Sequence, residues 1–435
     1  MIEIKKLKEL EEDELRGMFN RLGDDFSSVM VDTVIPIVND VRANGDTAVM
    51  KYTEQFDGVR LRSILVTEEE IEEGYRRTSA DVVDAFMKAR DNIEEFHLHQ
   101  KRDAIQYVRD DGTMLGVLFQ PIERAAIYVP GGKALYPSSV LMGVIPARIA
   151  GSRHITLITP PGDDGNIPDV VLAICKMLKV RSVLKCGGAQ GIAAAGFGTE
   201  SIGKSDIIVG PGNIYVTAAK TYLFSLGVIQ IDSLAGPSEV LVIADESANP
   251  RWVAFDLLSQ AEHDEMAYAI LLTTSEKHAA AVRDEIVKDI AAGTGRHRIK
   301  KEALSNNGHI ILVDSVDEAI EFSNRFAPEH MELMVPNPLD YLSRIRNVGS
   351  LFLGCHAPVA VGDYYSGTNH ILPTGGAARF SSGLSVETFL RRTTFQHLTE
   401  RSLKLAQDPV RIMSRVEGFD DKHGGSIDIR FASPG

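Results

Sequence analysis

The stretch Ala126-Ile-Tyr-Val-Pro-Gly-Gly-Lys133 decides the fold, because a short strand-like run ends there in a turn of proline and glycine. Runs of the same form lie at 155–159, 182–185 and 206–209. A helix-compatible segment follows each of them. Strands that alternate with helices at this interval indicate βαβ units and a parallel sheet. The stretch therefore predicts an α/β domain.

A second set of strand-like runs begins near Gly236. Its members are rich in aliphatic residues and are separated by helical patterns such as 250–262 and 316–326. They lie at 240–244, 268–273, 309–313, 331–335 and 350–353. The pattern is helical from 27 to about 102. The sequence thus predicts an α/β fold with two Rossmann-like, doubly wound parallel-sheet domains and small helical N- and C-terminal segments.

The predicted domain boundaries follow from these changes of pattern. The sequence after about Ser385 is charged and helical, and it has no sheet pattern of its own. A segment that cannot bury its own core often docks on another subunit, so we expect this one to contact a partner. The predicted parts are an N-terminal helical segment, a first, discontinuous α/β domain, a second α/β domain and the docking segment, at 1–25, 26–127 with 238–384, 128–237 and 385–435.

Composition excludes several classes of protein. The chain has 435 residues, a hydrophobic fraction of 44% and a formal net charge of −14. Binding nucleic acid needs clustered lysine and arginine, so this balance argues against a nucleic-acid partner. No apolar run approaches the roughly 20 residues that cross a bilayer, and the N-terminus lacks a signal-peptide core. We therefore expect a cytoplasmic protein with no membrane partner.

Three glycine-rich turns follow predicted strands and precede predicted helices. They lie at 128–133, 186–191 and 209–213. Backbone N–H groups at such a helix start can cradle a pyrophosphate, and doubly wound sheets bind ligands at the carboxyl ends of their strands. None of the turns matches the G-x-G-x-x-G pattern. Together they predict dinucleotide or phosphate binding within 128–215.

A second group of residues suggests a metal. Gln260 and His263 are three apart in a helical pattern, which places an amide oxygen and an imidazole on one helix face. With the carboxylate of Asp363 and a further histidine they would form the mixed nitrogen and oxygen shell typical of zinc. The three cysteines contain no CxxC pair, so a thiolate site is not indicated.

Glu329 and His330 place a carboxylate beside an imidazole at the start of a predicted strand. Adjacent strand residues point to opposite faces, so both reach one site only if the backbone bends, which Pro328 favours. Beside a metal and a nucleotide, the two residues suggest a general acid/base pair.

In these motifs and their order the chain resembles the histidinol dehydrogenase family, whose members use zinc and NAD in the last steps of histidine biosynthesis. The resemblance extends from about Asp25 to Phe431. It rests on Tyr-Val-Pro-Gly-Gly-Lys at 128–133, Gly-Gly-Ala-Gln at 187–190, Gly-Pro-Gly-Asn at 210–213, Ala-Gly-Pro-Ser-Glu-Val-Leu at 235–241, Leu-Leu-Ser-Gln-Ala-Glu-His at 257–263, Ala-Pro-Glu-His at 327–330 and Gly-Asp-Tyr-Tyr-Ser-Gly-Thr-Asn-His at 362–370.

The resemblance implies roles for individual residues. It implies that Glu329 and His330 are the acid/base pair. The implied NAD contacts are Tyr128, Gln190 and Asn213, and the implied zinc ligands are Gln260, His263, Asp363 and His423. The implied substrate contacts are Ser238, His330, His370 and Glu417, together with the zinc ligands. The family also implies a homodimer in which the C-terminal segment of one chain completes the other's site.

Two positions depart from the family pattern. Val359 stands four residues before Asp363, where the family commonly has a glutamate. Five residues separate Glu417 from His423, where the family has four. Both departures concern substrate recognition more than NAD or zinc binding. The leading prediction is oxidation of histidinol; the alternatives are oxidation of another small polar alcohol such as sulfopropanediol, a zinc hydrolase in which Glu329 activates water, and a non-catalytic binding module.

Overall fold

A computed structural model describes residues 2–21, 26–131, 135–233 and 236–432. These form two compact units, one of residues 1–100 with 122–389 and the other of residues 101–121 with 390–435. Three motif residues, Gly132, Lys133 and Ala235, lie outside the described residues. So do positions 22–25 of the N-terminal segment.

The strands belong to three sheets. In chain order they are β1 (Ile4–Lys6), β2 (Ile105–Val108), β3 (Met114–Pro121), β4 (Arg124–Tyr128), β5 (His154–Thr159), β6 (Ser182–Lys185), β7 (Ile207–Val209), β8 (Gln230–Ile231), β9 (Glu239–Ala244), β10 (Tyr268–Thr273), β11 (Gly308–Leu312), β12 (His330–Met334), β13 (Ser350–Leu353) and β14 (Leu390–His397).

The helices of the larger unit pack on two of these sheets. They are α1 (Glu12–Phe19), α2 (Phe26–Ser28), α3 (Ile35–Asp57), α4 (Glu68–Arg77), α5 (Ala80–Leu98), α6 (Ser138–Ala150), α7 (Asp169–Met177), α8 (Gly188–Phe197), α9 (Ile214–Ser225), α10 (Pro250–Ala261), α11 (Glu276–Ala292), α12 (His297–Asn307), α13 (Val316–Phe326) and α14 (Val359–Tyr364), while α15 (Glu400–Val416) and α16 (Gly425–Asp428) belong to the smaller unit.

Both sheets of the larger unit are parallel. The five-stranded sheet has the order β6-β5-β4-β7-β8, and the six-stranded sheet has the order β1-β11-β10-β9-β12-β13. Alternate residues of each strand enter apolar clusters on opposite faces: Ile127 packs in one cluster and Ala126 in another. The six-stranded sheet divides in the same way, with Val240 and Leu241 on opposite sides. Helices on both faces explain why these strands are continuous apolar runs, and the predicted doubly wound α/β fold is confirmed.

The terminal segments contain strands as well as the predicted helices. Residues Ile4–Lys6 form the edge strand β1, which pairs in parallel with β11. The segment after Ser385 was expected to have no sheet pattern, and this was wrong: β14 pairs antiparallel with β3, which also pairs with β2. Most side chains of β14 and all of those of β2 are at least partly exposed, so neither strand has an apolar face that a sequence pattern could reveal.

Within the smaller unit, α15 is capped by Thr399, whose hydroxyl accepts the N–H of Ser402. A π-helical turn at Asp420–Gly424 follows it. Among the described residues of both units, no helix is long and apolar enough to span a membrane.

Candidate active site

Glu329 and His330 lie where α13 passes into β12. The helix ends at Phe326, and Ala327 then adopts a left-handed conformation with φ 52°. Because β12 begins only at His330, Glu329 is outside the strand pleat, and its Oε2 lies 3.5 Å from His330 Nδ1. The bend that the sequence required is therefore present, at Ala327 as well as Pro328.

The imidazole of His330 is buried and has a defined orientation. Its Nδ1 lies 2.9 Å from the carbonyl oxygen of Glu239, so Nδ1 carries the proton and donates it. Its Nε2 lies 3.5 Å from Asp363 Oδ1. Burial alone would lower the pKa of His330, but the carboxylates of Glu329 and Asp363 outweigh burial and raise it to about 9. In the neutral ring, Nε2 is a base that faces a carboxylate.

The carboxyl group of Glu329 is also buried. Its Oε2 accepts the backbone N–H of Glu239 at 2.8 Å, and its own N–H donates to Glu239 Oε2 at 3.1 Å. Burial raises the pKa of Glu329 to about 8, which makes its ionised form a stronger base than an exposed carboxylate.

Glu239, the first residue of β9, organises this pair, and sequence analysis missed it. Its carboxylate forms a buried ion pair with Arg21 at 2.9 Å and accepts the N–H of Gly375 at 2.8 Å. Arg21 also donates to the carbonyl oxygen of Phe326 at the end of α13. A charged residue at the head of the apolar run 240–244 was the available signal. Nothing in the pattern around Arg21 pointed to its role.

Asp363 lies in the last turn of α14, next to His370. The Nδ1 of His370 donates to the backbone carbonyl of Asp363 at 2.8 Å, and its Nε2 lies 3.1 Å from Ser139 Oγ in α6. Burial would raise the pKa of Asp363, but His330, His370 and His263 outweigh burial and lower it. Asp363 is therefore a carboxylate surrounded by imidazoles.

Gln260 and His263 lie at the carboxyl end of α10 rather than on one continuous helix face. The helix ends at Ala261, and the N–H of His263 donates to the carbonyl of Gln260 at 3.1 Å. Burial lowers the pKa of His263, which favours the neutral imidazole that binds metals. The carboxyl ends of α10 and α14 carry partial negative charge, which favours a cation there.

The nitrogen and oxygen donors of Gln260, His263 and Asp363 fit zinc chemically. The described residues nevertheless contain no cluster of three or more histidine, cysteine, aspartate or glutamate side chains placed to hold a metal ion.

A second buried carboxyl pair, which sequence analysis did not find, lies beneath this site. Glu332 of β12 accepts the N–H of Val359 at 3.0 Å, and Asp256 of α10 hydrogen-bonds to Glu332. Burial raises the pKa of both groups, that of Asp256 to about 6, so the pair retains a proton more readily than exposed carboxyls do. Val359 is 2% exposed and packs in the apolar cluster around Phe352.

Two of the predicted NAD contacts meet at the carboxyl edge of the five-stranded sheet. Tyr128 is the last residue of β4, and its hydroxyl accepts the N–H of Gly188 at 3.3 Å, at the start of α8. Gln190 lies in the first turn of α8, where its Oε1 is buried and has no hydrogen-bond partner in the part of the chain that the structure describes. An unpartnered buried acceptor at a helix start fits a site that a ligand completes.

Asn213 caps the next helix along the chain, α9. Its Oδ1 accepts the N–H groups of Tyr215 and Val216 at 3.1 Å, which leaves its NH₂ group for a ligand. The preceding turn approaches Tyr128 closely: a Cβ on Gly210, which has φ 116°, would collide with the Tyr128 carbonyl. The buried Lys220 donates to the Gly210 carbonyl at 2.9 Å and holds this turn.

The remaining predicted residues are Ser238, Glu417 and His423. Ser238 is partly buried immediately before β9, and its carbonyl accepts the N–H of Tyr268. Glu417 follows α15 and His423 lies in the π-helical turn, both in the smaller unit. A π-helical turn contains one residue more than an α-helical turn would need. It therefore accommodates the extra residue between Glu417 and His423.

Comparisons with known proteins agree with these features. The family model described as histidinol dehydrogenase matches residues 21–431. Histidinol dehydrogenase from Leptospira biflexa is 48% identical over 401 residues, which are 92% of each chain, and that from Methanocaldococcus jannaschii is 46% identical over 417 residues, 96% of each. The crystal structure of histidinol dehydrogenase from Elizabethkingia anophelis matches with a TM-score of 0.92 and 37% identity, covering 99% of this chain and 98% of that one. The chain therefore belongs to the histidinol dehydrogenase family.

Proposed function

We propose that this chain oxidises L-histidinol through histidinal to L-histidine with NAD as the oxidant. The observation that carries the proposal is the orientation of His330. Its Nδ1 donates to the Glu239 carbonyl, and its buried Nε2 has no hydrogen-bond partner among the described residues. A buried base beside two carboxylates can accept a proton and stabilise the charge that follows. Membership of the family supports histidinol as the substrate. The comparisons do not support sulfopropanediol or hydrolysis.

In the first oxidation, Nε2 of the neutral His330 ring accepts the proton of the alcohol while the hydride leaves the same carbon. Because the pKa of this imidazole is raised to about 9, we expect the rate of this step to increase as the pH rises towards that value. The resulting imidazolium is paired with Asp363 and Glu329, each within 3.5 Å of a ring nitrogen. NAD, when bound, supplies the hydride acceptor. The step removes one proton and one hydride and leaves the aldehyde.

In the second oxidation, we propose that Glu329 takes a proton from the water that adds to the aldehyde. Its burial and raised pKa favour proton uptake, and Glu239 holds Oε2 in place through a backbone N–H. Loss of a second hydride from the hydrated aldehyde gives the carboxylate. One substrate molecule therefore reduces two molecules of NAD.

We propose zinc as the metal, held by Gln260, His263 and Asp363 with His423. Zinc, when bound, would orient the substrate through its nitrogen or oxygen atoms. Ser238, His370 and Glu417 are the further proposed substrate contacts. His370 supports this arrangement by its hydrogen bond to the Asp363 backbone.

Tyr128, Gln190 and Asn213 are the proposed NAD contacts. The unpartnered Gln190 Oε1 and the free amide of Asn213 support them. We also propose a homodimer in which residues 385–435 complete the partner's site, because Glu417 and His423 lie in a separate compact unit. The predicted domain boundaries and the cytoplasmic location remain predictions.

The decisive measurement is absorbance at 340 nm with L-histidinol and NAD. We expect two NADH per histidinol and L-histidine as the product. Sulfopropanediol and other small diols serve as comparison substrates. Faster turnover of another alcohol would contradict histidinol as the substrate, and product without NADH would indicate a hydrolase.

Zinc is tested separately by metal analysis and rate. We expect chelation to abolish turnover and leave the circular dichroism spectrum unchanged, because both sheets have complete apolar cores without the metal. His263→Ala should lose bound zinc, whereas His99→Ala, which removes an exposed imidazole at the end of α5, should retain it. Full zinc content in His263→Ala would show that the ligand assignment is wrong.

A further inference from the structure

A cavity of about 520 Å³ lies at the amino edge of the five-stranded sheet. The first residues of β4, β5 and β6, which are Arg124, His154 and Ser182, line it. The proposed NAD contacts follow or end the strands of the same sheet, at the opposite edge. The cavity is therefore separate from the site described above.

The cavity is strongly basic, although the chain as a whole carries a net charge of −14. Six cationic side chains line it: Arg124, Arg148, Arg153, Lys179, Arg181 and Lys204. Carboxylates offset some of these charges. Arg153 lies 3.5 Å from Glu123, and Arg181 lies 3.7 Å from Glu68.

Three of these cations have no carboxylate partner within the part of the chain that the structure describes: Arg124, Lys179 and Lys204. Arg148 interacts electrostatically with Glu94. The helices α6 and α7 end at this edge. The partial negative charge of their carboxyl ends favours a cation, which accounts for Arg148 and Lys179. These helix ends do not account for Arg124, the first residue of β4, or for Lys204, which lies in the loop before β7.

The backbone at Lys179 is strained. It follows α7 in a left-handed conformation with φ 53°, a position that glycine usually occupies. The strain is maintained by hydrogen bonds on both sides, from the Lys179 N–H to the Lys176 carbonyl and from the Val180 N–H to the Cys175 carbonyl. Lysine is less favourable than glycine in this conformation, which indicates a use for its side chain.

Hydroxyl groups line the same cavity. Thr156 Oγ1 and Ser182 Oγ lie 3.1 Å apart on neighbouring strands, and Ser152 and Ser205 are buried beside them. A guanidinium group can donate two parallel hydrogen bonds to two oxygens of one phosphate, and hydroxyl groups can donate to the remaining oxygens. A single phosphate would fill only a small part of this volume. We propose that the cavity binds a small metabolite that carries two or more phosphate groups.

The test is calorimetric titration of the zinc-loaded, full-length protein with fructose 1,6-bisphosphate, in saturating NAD so that the proposed nucleotide site is occupied. We expect saturable binding of one molecule per chain, weakened by added salt. Lys179→Gln/Lys204→Gln should weaken binding about tenfold or more. The matched control, Lys277→Gln/Lys301→Gln, removes two exposed charges from α11 and α12 and should bind normally.

Equal affinity in the two double variants would overturn the proposal, as would the absence of saturable binding. Equal affinity for fructose 6-phosphate would contradict a site for two phosphates. If Lys179→Gln/Lys204→Gln is poorly folded by circular dichroism, Arg124→Gln gives the same comparison without altering the strained turn. Normal NADH formation in these variants, together with lost bisphosphate binding, would separate this site from the proposed oxidation.

Discussion

The proposed NAD contacts and the proposed acid/base pair lie at opposite edges of their two parallel sheets. In the five-stranded sheet, Tyr128 and the turn around Gly210 lie at the carboxyl ends of strands, where doubly wound folds commonly bind ligands. In the six-stranded sheet, Glu239 and His330 are the first residues of their strands. The helix ends that carry Gln260 and Asp363 reach this amino edge as well. The common rule for parallel sheets thus predicts only the first of the two groups.

The difference has a physical basis. An amino edge gathers the carboxyl ends of helices, whose partial negative charge favours cations such as an imidazolium or a metal ion. A carboxyl edge gathers helix starts, whose N–H groups favour phosphate. The proposed acid/base pair and the proposed metal ligands Gln260, His263 and Asp363 are at the edge suited to positive charge. The proposed NAD contacts are at the edge suited to negative charge.

The largest expected effect is on the rate of histidinol oxidation, when His330 is removed from the amino edge of the six-stranded sheet. His330→Ala should lower the rate of histidinol oxidation by about 10²–10⁴-fold. It should leave the Kd for NAD unchanged, because His330 belongs to the six-stranded sheet and the proposed NAD contacts belong to the five-stranded sheet. Gln190→Ala should do the reverse and weaken NAD binding. Stopped-flow NADH formation and NAD titration measure the two quantities. Loss of NAD binding in His330→Ala would show that the two edges do not act separately.

Glu329 and His330 should also differ in which of the two oxidations they serve. Glu329→Gln should slow aldehyde oxidation more than alcohol oxidation, because its proposed task is to activate water. Glu95→Gln, an exposed change on α5, is the matched control and should have no effect. Equal losses in both half-reactions for Glu329→Gln would contradict this division.

The third prediction concerns the support of the amino edge. Arg21→Ala leaves Glu239 as a buried, unpaired carboxylate and should lower the free energy of unfolding by about 3–5 kcal/mol. Arg21→Ala/Glu239→Gln removes both charges and should recover part of this loss. Urea denaturation of both variants gives the values. A double variant no more stable than Arg21→Ala would show that the ion pair itself is not the source of the loss.

The fourth prediction concerns Val359, the first residue of α14. Val359→Glu would insert a carboxyl group into an apolar cluster whose nearby backbone N–H is already bound by Glu332. We expect a loss of about 3 kcal/mol in the free energy of unfolding. Val359→Ala, which only leaves a cavity, should cost less. Unchanged stability in Val359→Glu would show that the side chain can turn towards the substrate. We would then expect kcat/KM for histidinol to rise, because a carboxylate there could pair with the protonated amino group of the substrate.

The smallest expected effect is a pH-dependent change in stability caused by Asp57. Asp57 ends α3, and burial raises its pKa to about 6. Because the unfolded carboxyl ionises at a lower pH, native stability falls as the pH rises from about 4 to 6 and stays lower above that range. Asp57→Asn should therefore be more stabilising at pH 8 than at pH 4.5, by about 1 kcal/mol after allowance for partial exposure.

Urea titrations at the two pH values measure the difference. Asp163→Asn changes an exposed loop residue and should show no such dependence. A gain from Asp57→Asn that is the same at both pH values would contradict a shifted pKa.

The sequence predicted most of the fold because both parallel sheets are covered on two faces. Such strands are continuous apolar runs, and those at 182–185 and 350–353 match β6 and β13. The exposed strands β2 and β14 carry no comparable signal. Glu329 and His330 could be found because they are adjacent. The charge before the apolar run 240–244 was a signal for Glu239, but its pairing with Arg21 could not be predicted, because only the folded chain brings the two residues together.

The Arg21–Glu239 ion pair also has a consequence for the order of events during synthesis. Its two partners are 218 residues apart, a distance that a ribosome covers in roughly 10 to 40 s. Strand β1 can pair only after β11, which is synthesised later still. Every strand of the five-stranded sheet, by contrast, lies between Arg124 and Ile231. We expect ribosome-bound chains that have exposed residues up to about 235 to resist proteolysis across the five-stranded sheet but not at residues 2–21. Early protection of the N-terminus would show that it folds without its distant partner.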